Sequence, residues 1–122
     1  MKKNQITYYS TNLKSDPVSF REALLKGLAP DGGLYMPASI PALGKEDLEM
    51  MAGMDYQDIA FTVLENIIGS EIPEEVLRSL CKDAYDFDVP LENVYERKYI
   101  LRLDQGPTAS FKDFAADRKS VV

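Results

Sequence analysis

Apolar residues recur at helical spacing in two stretches near the middle of the chain. Tyr56, Ile59, Ala60, Val63, Leu64, Ile67 and Ile68 fall at i, i+3, i+4 and i+7, the period that lines one face of an α-helix. Asp55 stands at the N-cap position and Gly69 where the chain must leave the helix, both residue types suited to those places. A second stripe, Val76, Leu77, Leu80, Cys81 and Ala84, follows Pro73-Glu74-Glu75, where acidic residues favour a helix N-terminus. Two such faces predict a packed helix pair, with all five residues of the second stripe buried.

Shorter signals flank this pair. Ile6-Thr7-Tyr8-Tyr9-Ser10 is β-branched and aromatic and predicts a strand. Asp16-Pro17 predicts a helix start, with Asp16 as N-cap, Pro17 in the first turn and Phe20, Ala23, Leu24 and Leu28 as the apolar stripe. Gly27 suits a left-handed cap at its end. Asp31-Gly32-Gly33 is a turn signal, and Leu34-Tyr35-Met36 is read as a return strand pairing with residues 6–10. Pro37, Pro41 and Gly44 break the next stretch, and residues 45–52 predict a short helix.

Pro90 marks the expected boundary between a domain of residues 1–90 and the beginning of a second, 91–122. Residues 95–103 read as one or two strands, clearest at Tyr99-Ile100-Leu101-Arg102-Leu103. Gly106-Pro107 then turns the chain into a helix. Strand, tight turn and helix open an α/β unit. The expected class is α/β with α+β character: a helical N-terminal domain with a small β-hairpin, followed by the first strand–turn–helix of a second domain.

Composition narrows the chemistry. The 122 residues suffice for one domain, or a small domain plus the start of another. A net charge of −6 argues against a nucleic-acid surface, which needs a basic face. The lone cysteine, Cys81, excludes an internal disulfide, points to a reducing compartment and lies on a core stripe. With no histidine, the usual general base and the commonest zinc ligand are missing, and no metal site is expected. No stretch reads as a signal peptide or a membrane span. The expected location is cytoplasmic.

One segment carries candidate chemistry: Gln105-Gly106-Pro107-Thr108-Ala109-Ser110-Phe111-Lys112-Asp113-Phe114. Ser110-Phe111-Lys112-Asp113 matches a capping box and puts Lys112 in a first helical turn. Positive helix-terminal charge and burial between Phe111 and Phe114 would both disfavour an ammonium there. A free amine can attack a carbonyl and form an imine. Asp113 opposes this if it faces the lysine. A solvated surface lysine is the commoner outcome at such a position, so these residues alone leave both readings open.

The segment resembles the pyridoxal-phosphate lysine motif of threonine synthases, His-Gly-Pro-Thr-x-Ala/Ser-Phe-Lys-Asp. Tyr8-Tyr9-Ser10-Thr11-Asn12, Val18-Ser19-Phe20-Arg21-Glu22-Ala23 and Gly27-Leu28-Ala29-Pro30-Asp31-Gly32-Gly33-Leu34-Tyr35-Met36-Pro37 resemble the N-terminal domain of the same family. The resemblance spans residues 5–117. It implies that residues 91–122 open a fold-type II pyridoxal-phosphate domain. Lys112 would be the catalytic lysine that binds pyridoxal 5'-phosphate as an imine. Phe111, Thr108 and Ser110 would stand beside the cofactor, or simply hold the turn and cap. The implied reaction converts O-phospho-L-homoserine and water to L-threonine and phosphate.

The sequence departs from the family at two places. Gln105 replaces the usual histidine with a side chain that hydrogen-bonds but does not titrate. The stretch Asp117-Arg118-Lys119-Ser120-Val121-Val122 no longer resembles the family. The expectation is an N-terminal fragment, arising by truncation, frameshift or cloning, that lacks the remaining cofactor loops and has no turnover of its own. Two alternatives stand beside it. One is another pyridoxal-phosphate lyase or dehydratase. The other is a non-catalytic folded fragment that packs with a partner. Unpaired strands near 95–103 would favour self-association.

Overall fold

The computed structural model describes residues 5–115. Its centre is the helix pair α3 (Tyr56–Ile68) and α4 (Glu74–Ala84). Asp55 caps α3 by accepting from the Asp58 N–H at 2.9 Å, and Gly69 leaves it at φ 69°. Phe61, Ile68, Leu77 and Cys81 form the buried contact, with Ala60, Leu64 and Ile72 against it. Val76 and Leu80 are half exposed, contrary to the stripe expected from the sequence. Helix α4 meets a neighbour along one line only, so the residues flanking Leu77 and Cys81 stay at the margin. Burial pushes the Cys81 thiol up, against the opposing effect of Arg78; its setting is that of a small core residue. The Arg78 guanidinium covers the Phe61 ring at 3.7 Å while its Nε pairs with Glu74 at 3.1 Å.

Strands β1 (Tyr8–Ser10) and β2 (Tyr35–Pro37) pair antiparallel, with Tyr8 opposite Pro37 and Ser10 opposite Tyr35. The expected pairing is therefore present, with β2 one residue later than predicted. Helix α1 (Phe20–Lys26) is capped by Ser19 in a reciprocal box with Glu22, rather than by Asp16. The cause is tertiary. Tyr8 and Val18 exchange both backbone hydrogen bonds, at 2.8 and 2.9 Å. This holds Val18 extended and delays the helix. Leu24 and Leu28 are exposed rather than core, because the seven-residue helix is covered only along Phe20 and Ala23. Gly27 ends the helix at a positive φ of 72° as expected, but with ψ −67° it forms a γ-turn closed by Leu28 N–H donating to Lys26 O at 2.9 Å rather than a left-handed cap.

Glu71 gives α1 a second cap from outside, accepting from the Phe20 and Arg21 N–H groups at 3.0 and 2.8 Å. Phe20 packs against both buried clusters, the helix pair and the group Ile6, Tyr8, Val18 and Ala23. The two clusters are thereby joined in one unit. Helix α2 (Lys45–Met51) buries no side chain.

The turn before β2 is built on the partly exposed Asp31 carboxylate. Fully buried Ser10 donates its hydroxyl to Asp31 at 2.6 Å, and the Gly33 and Lys14 N–H groups donate at 3.0 and 2.9 Å. The Ser10 hydroxyl is the main reason that the Asp31 carboxyl falls to about 2. A Cβ on Gly33 would overlap the Ser10 hydroxyl and come within 2.9 Å of the Asn12 nitrogen. The Asp31-Gly32-Gly33 signal thus reflects close packing as well as a turn.

Beyond Pro90 the chain forms one antiparallel hairpin, β3 (Leu91–Tyr95) and β4 (Lys98–Leu101), with every residue of both strands exposed. The expected strand region, 95–103, reached only the last residue of β3, because Glu92 and Asn93 break any apolar run before it. The mixed α/β class agrees with expectation. The helix expected after Gly106-Pro107 is a single 3-10 turn over Phe111–Phe114. The departure of residues 117–122 lies outside the described residues.

Candidate functional site

The lysine segment is a compact loop held by one carboxylate. Gly106 to Ala109 forms a turn closed by Ala109 N–H donating to Gly106 O at 3.0 Å, with Ala109 at φ 52°. Asp113, 2% exposed, accepts from the Thr108 N–H at 3.0 Å and from the Thr108 hydroxyl at 2.7 Å. A Cβ on Gly106 would come within 2.5 Å of the same carboxylate. Glycine is needed here so that the backbone can lie against Asp113.

This arrangement corrects the capping-box reading. Ser110 makes no side-chain cap hydrogen bond, so that half of the box is absent; the Asp113 carboxylate does feel the Ser110 amide, as expected, but takes its short hydrogen bonds from Thr108. Burial alone would raise the Asp113 carboxyl. The Thr108 hydroxyl and amide, the Ser110 amide and the Lys112 charge outweigh it and hold the group below its ordinary range. A one-turn 3-10 helix aligns too few peptide dipoles to act as a helix N-terminus. Lys112 is exposed rather than buried between the two phenylalanines, and Phe111 is 73% exposed.

Phe114 points the other way, into an aromatic cluster. Its ring stands 5.3 Å from Phe87, 6.0 Å from Tyr56 and 6.1 Å from Tyr85. The Tyr85 hydroxyl also donates to the Phe114 carbonyl at 3.2 Å. The sequence reading missed these partners. The aromatic alternation of Tyr85 and Phe87 just past α4 was the available signal. Before the turn, Arg102 bridges Glu92 at 2.9 Å and Asp104 at 2.7 Å, and Gln105 donates to Asp104 at 3.1 Å.

Alternate sides of the loop therefore do different work. Asp113 and Phe114 turn inward and fix the backbone, while Phe111 and Lys112 face out. Ser110 and Phe111 border an open groove of about 370 Å³ that continues along Ile100, Leu101 and Leu103. The described residues offer an exposed primary amine, an aromatic face and a hydroxyl. That set fits the aldehyde-bearing ring of pyridoxal phosphate. The Thr108 donors are both used by Asp113, so Thr108 serves the loop and is withdrawn from the groove. Among the described residues, no cluster of histidine, cysteine or acidic side chains could hold a metal, and no helix is long and apolar enough to cross a membrane.

A small helical unit capped by a two-stranded sheet, leading through a hairpin to an outward-facing lysine, defines a mixed α/β class. Comparison with known proteins makes it specific. Residues 7–85 match the family model for the threonine synthase N terminus. The threonine synthase of Methylobacillus glycogenes is 40% identical over 88% of this chain, and that of Saccharomyces cerevisiae 38% over 92%. A crystal structure of pyridoxal-phosphate-bound threonine synthase from Brucella melitensis superposes with a TM-score of 0.82 at 35% identity over 88% of this chain. The Escherichia coli enzyme gives 0.80 at 32% over the same share. The chain belongs to the threonine synthase family. It spans about a quarter of the length of these relatives, 26% of the Methylobacillus protein and 24% of the Brucella chain.

Proposed function

We propose that this chain supplies the N-terminal quarter of a threonine synthase and the lysine, Lys112, that holds its pyridoxal phosphate. Residues 1–90 are the N-terminal domain and 91–122 the beginning of the cofactor domain. The substrate is O-phospho-L-homoserine and the setting cytoplasmic. The single observation behind this reading is the orientation of the loop: Asp113 and Phe114 are tied inward, while Lys112 is exposed and its neighbours Ser110 and Phe111 border a groove.

When bound, pyridoxal phosphate supplies an electron sink for carbanions on an amino acid. The residues of this chain have simpler tasks. Lys112 would hold the cofactor by condensing its amine with the aldehyde, with loss of water, and its Nζ would be the group that takes and returns protons. Phe111 offers a flat apolar face, and the Ser110 hydroxyl a donor at the groove edge. The phosphate calls for backbone N–H groups presented by a loop or helix end, a feature these described residues do not provide beside Lys112. Turnover therefore needs further residues. The expected result for the 122-residue chain is no phosphate release from O-phospho-L-homoserine above a Lys112→Ala control. Borohydride reduction in the presence of pyridoxal phosphate, followed by peptide mapping, tests the site. Label concentrated on Lys112 supports it, and label spread evenly over the lysines removes it.

A second reading rests on the β3–β4 hairpin, where Leu91, Tyr99, Ile100 and Leu101 are all more than half exposed. Unpaired edges with apolar faces favour pairing with a second copy. Light scattering should then show a dimer that Ile100→Lys converts to monomer.

A further inference from the structure

We infer that Phe114 and Tyr85 are positioning residues that tie the lysine loop to helices α3 and α4, so that the helical unit sets where the Lys112 amine stands. The inference rests on the proposed role of Lys112 and adds to it two residues outside the lysine motif's own hydrogen bonds.

The Asp113 clamp is local, joining Thr108 and Asp113 within one turn. It shapes the loop and attaches it to nothing else. The β3–β4 hairpin before the loop is exposed along its whole length and faces the loop across an open groove. Phe114 makes the connection. It stands two residues after Lys112 and packs against Tyr56 of α3 and against Tyr85 and Phe87, which follow α4. Two of these contacts are edge-to-face, at 86° and 89°, a geometry that aromatic quadrupoles favour.

Tyr85 adds direction. Its hydroxyl donates to the Phe114 carbonyl, one residue beyond the inward-facing Asp113. Tyr85 is itself fixed from several sides. Its N–H donates to Cys81 O at 3.0 Å, its carbonyl accepts from Gln57 Nε2 at 2.6 Å, and its ring meets Tyr56 edge-on at 5.2 Å. Gln57 and Tyr56 lie in the first turn of α3, next to its Asp55 cap. A chain of contacts therefore runs from the cap of α3 to the peptide that carries Lys112. Phe114 belongs to neither buried core cluster, so its ring is placed for attachment of the loop.

The test compares wild type, Phe114→Ala, Phe114→Tyr and Tyr85→Phe in the 122-residue chain. One readout is amide hydrogen exchange of the peptide covering residues 105–115. The other is the share of borohydride-trapped pyridoxal phosphate found on Lys112 rather than on the other lysines. Phe114→Ala should speed exchange about tenfold and Tyr85→Phe about two- to threefold, as expected for loss of a local anchor. Both should spread the label to other lysines, and Phe114→Tyr should restore wild-type behaviour in both readouts. Helical circular dichroism reports whether the unit stays folded. Should Phe114→Ala unfold, Tyr85→Phe and Phe114→Tyr decide the matter. Unchanged exchange in the folded anchor variants overturns the inference. Faster exchange in variants of a chain whose wild type shows no preference for Lys112 keeps the anchor and removes the cofactor reading.

Discussion

The two ends of this molecule are held together differently. From Ile6 to Cys81, two apolar clusters share Phe20, and beside them the buried Ser10 hydroxyl is paired with Asp31. From Leu91 to Ala115, the only fully buried side chain among the described residues is a carboxylate, Asp113. The first region is stabilised by area removed from water. The second keeps its shape through backbone pairing, one clamp and one aromatic wedge. The contrast explains how a lysine loop can be shaped and still exposed: its order comes from a few directional contacts rather than from burial.

Substitutions should break the two regions unequally. Phe61→Ala should cost about 3–5 kcal/mol in urea unfolding, as buried aromatic deletions do. Ile100→Thr, in the exposed hairpin, should fall within about 0.5 kcal/mol of wild type. Equal effects would mean that the hairpin is covered in solution. Gly33→Ala comes next, at about 1–3 kcal/mol for forcing a methyl into filled space. Gly53→Ala, whose new Cβ would meet nothing closer than 3.9 Å, should be neutral or slightly stabilising by comparison.

Acid sharpens the comparison. The Asp31 carboxyl is depressed to about 2 in the folded chain by the Ser10 hydroxyl and the amides around it. A depressed carboxyl stabilises the fold fully above its unfolded value and loses that contribution as pH falls through the folded one. Wild type should therefore exceed Asp31→Asn in thermal midpoint at pH 6, with the gap closing between about pH 4 and pH 2. A gap that stays constant over that range would sink the assignment. Last in size, Glu71→Ala removes the outside cap of α1 and should cost about 0.5–2 kcal/mol, read as an earlier urea midpoint.

The lysine loop shows where sequence reasoning reached its limit. Ser110 and Asp113 have the spacing of a capping box, yet Asp113 finds better donors on Thr108, because the Gly106-Pro107 turn folds Thr108 back over it. Phe111 and Phe114 look equivalent flanking Lys112. One is exposed and the other wedged among Tyr56, Tyr85 and Phe87, a difference made by residues far away in the chain. Val18 is a parallel case: pairing with Tyr8 moved the start of α1 from Asp16 to Ser19.

The sequence by itself determined the helix pair, its caps at Asp55 and Gly69, the pairing of β1 with β2 and the family motifs around Gly33 and Lys112. Apart from the β1–β2 pairing, which joins residues 8–10 to 35–37, each depends on periodicity or on residues within a few positions of one another. Only the tertiary structure decided which face of the lysine loop turns inward, which donors Asp113 takes and that Phe114 carries the attachment to α3 and α4. The attachment depends on contacts between segments distant in the chain, and the Asp113 clamp on a choice among several nearby donors; in both, partners of similar local quality compete and three-dimensional proximity selects one.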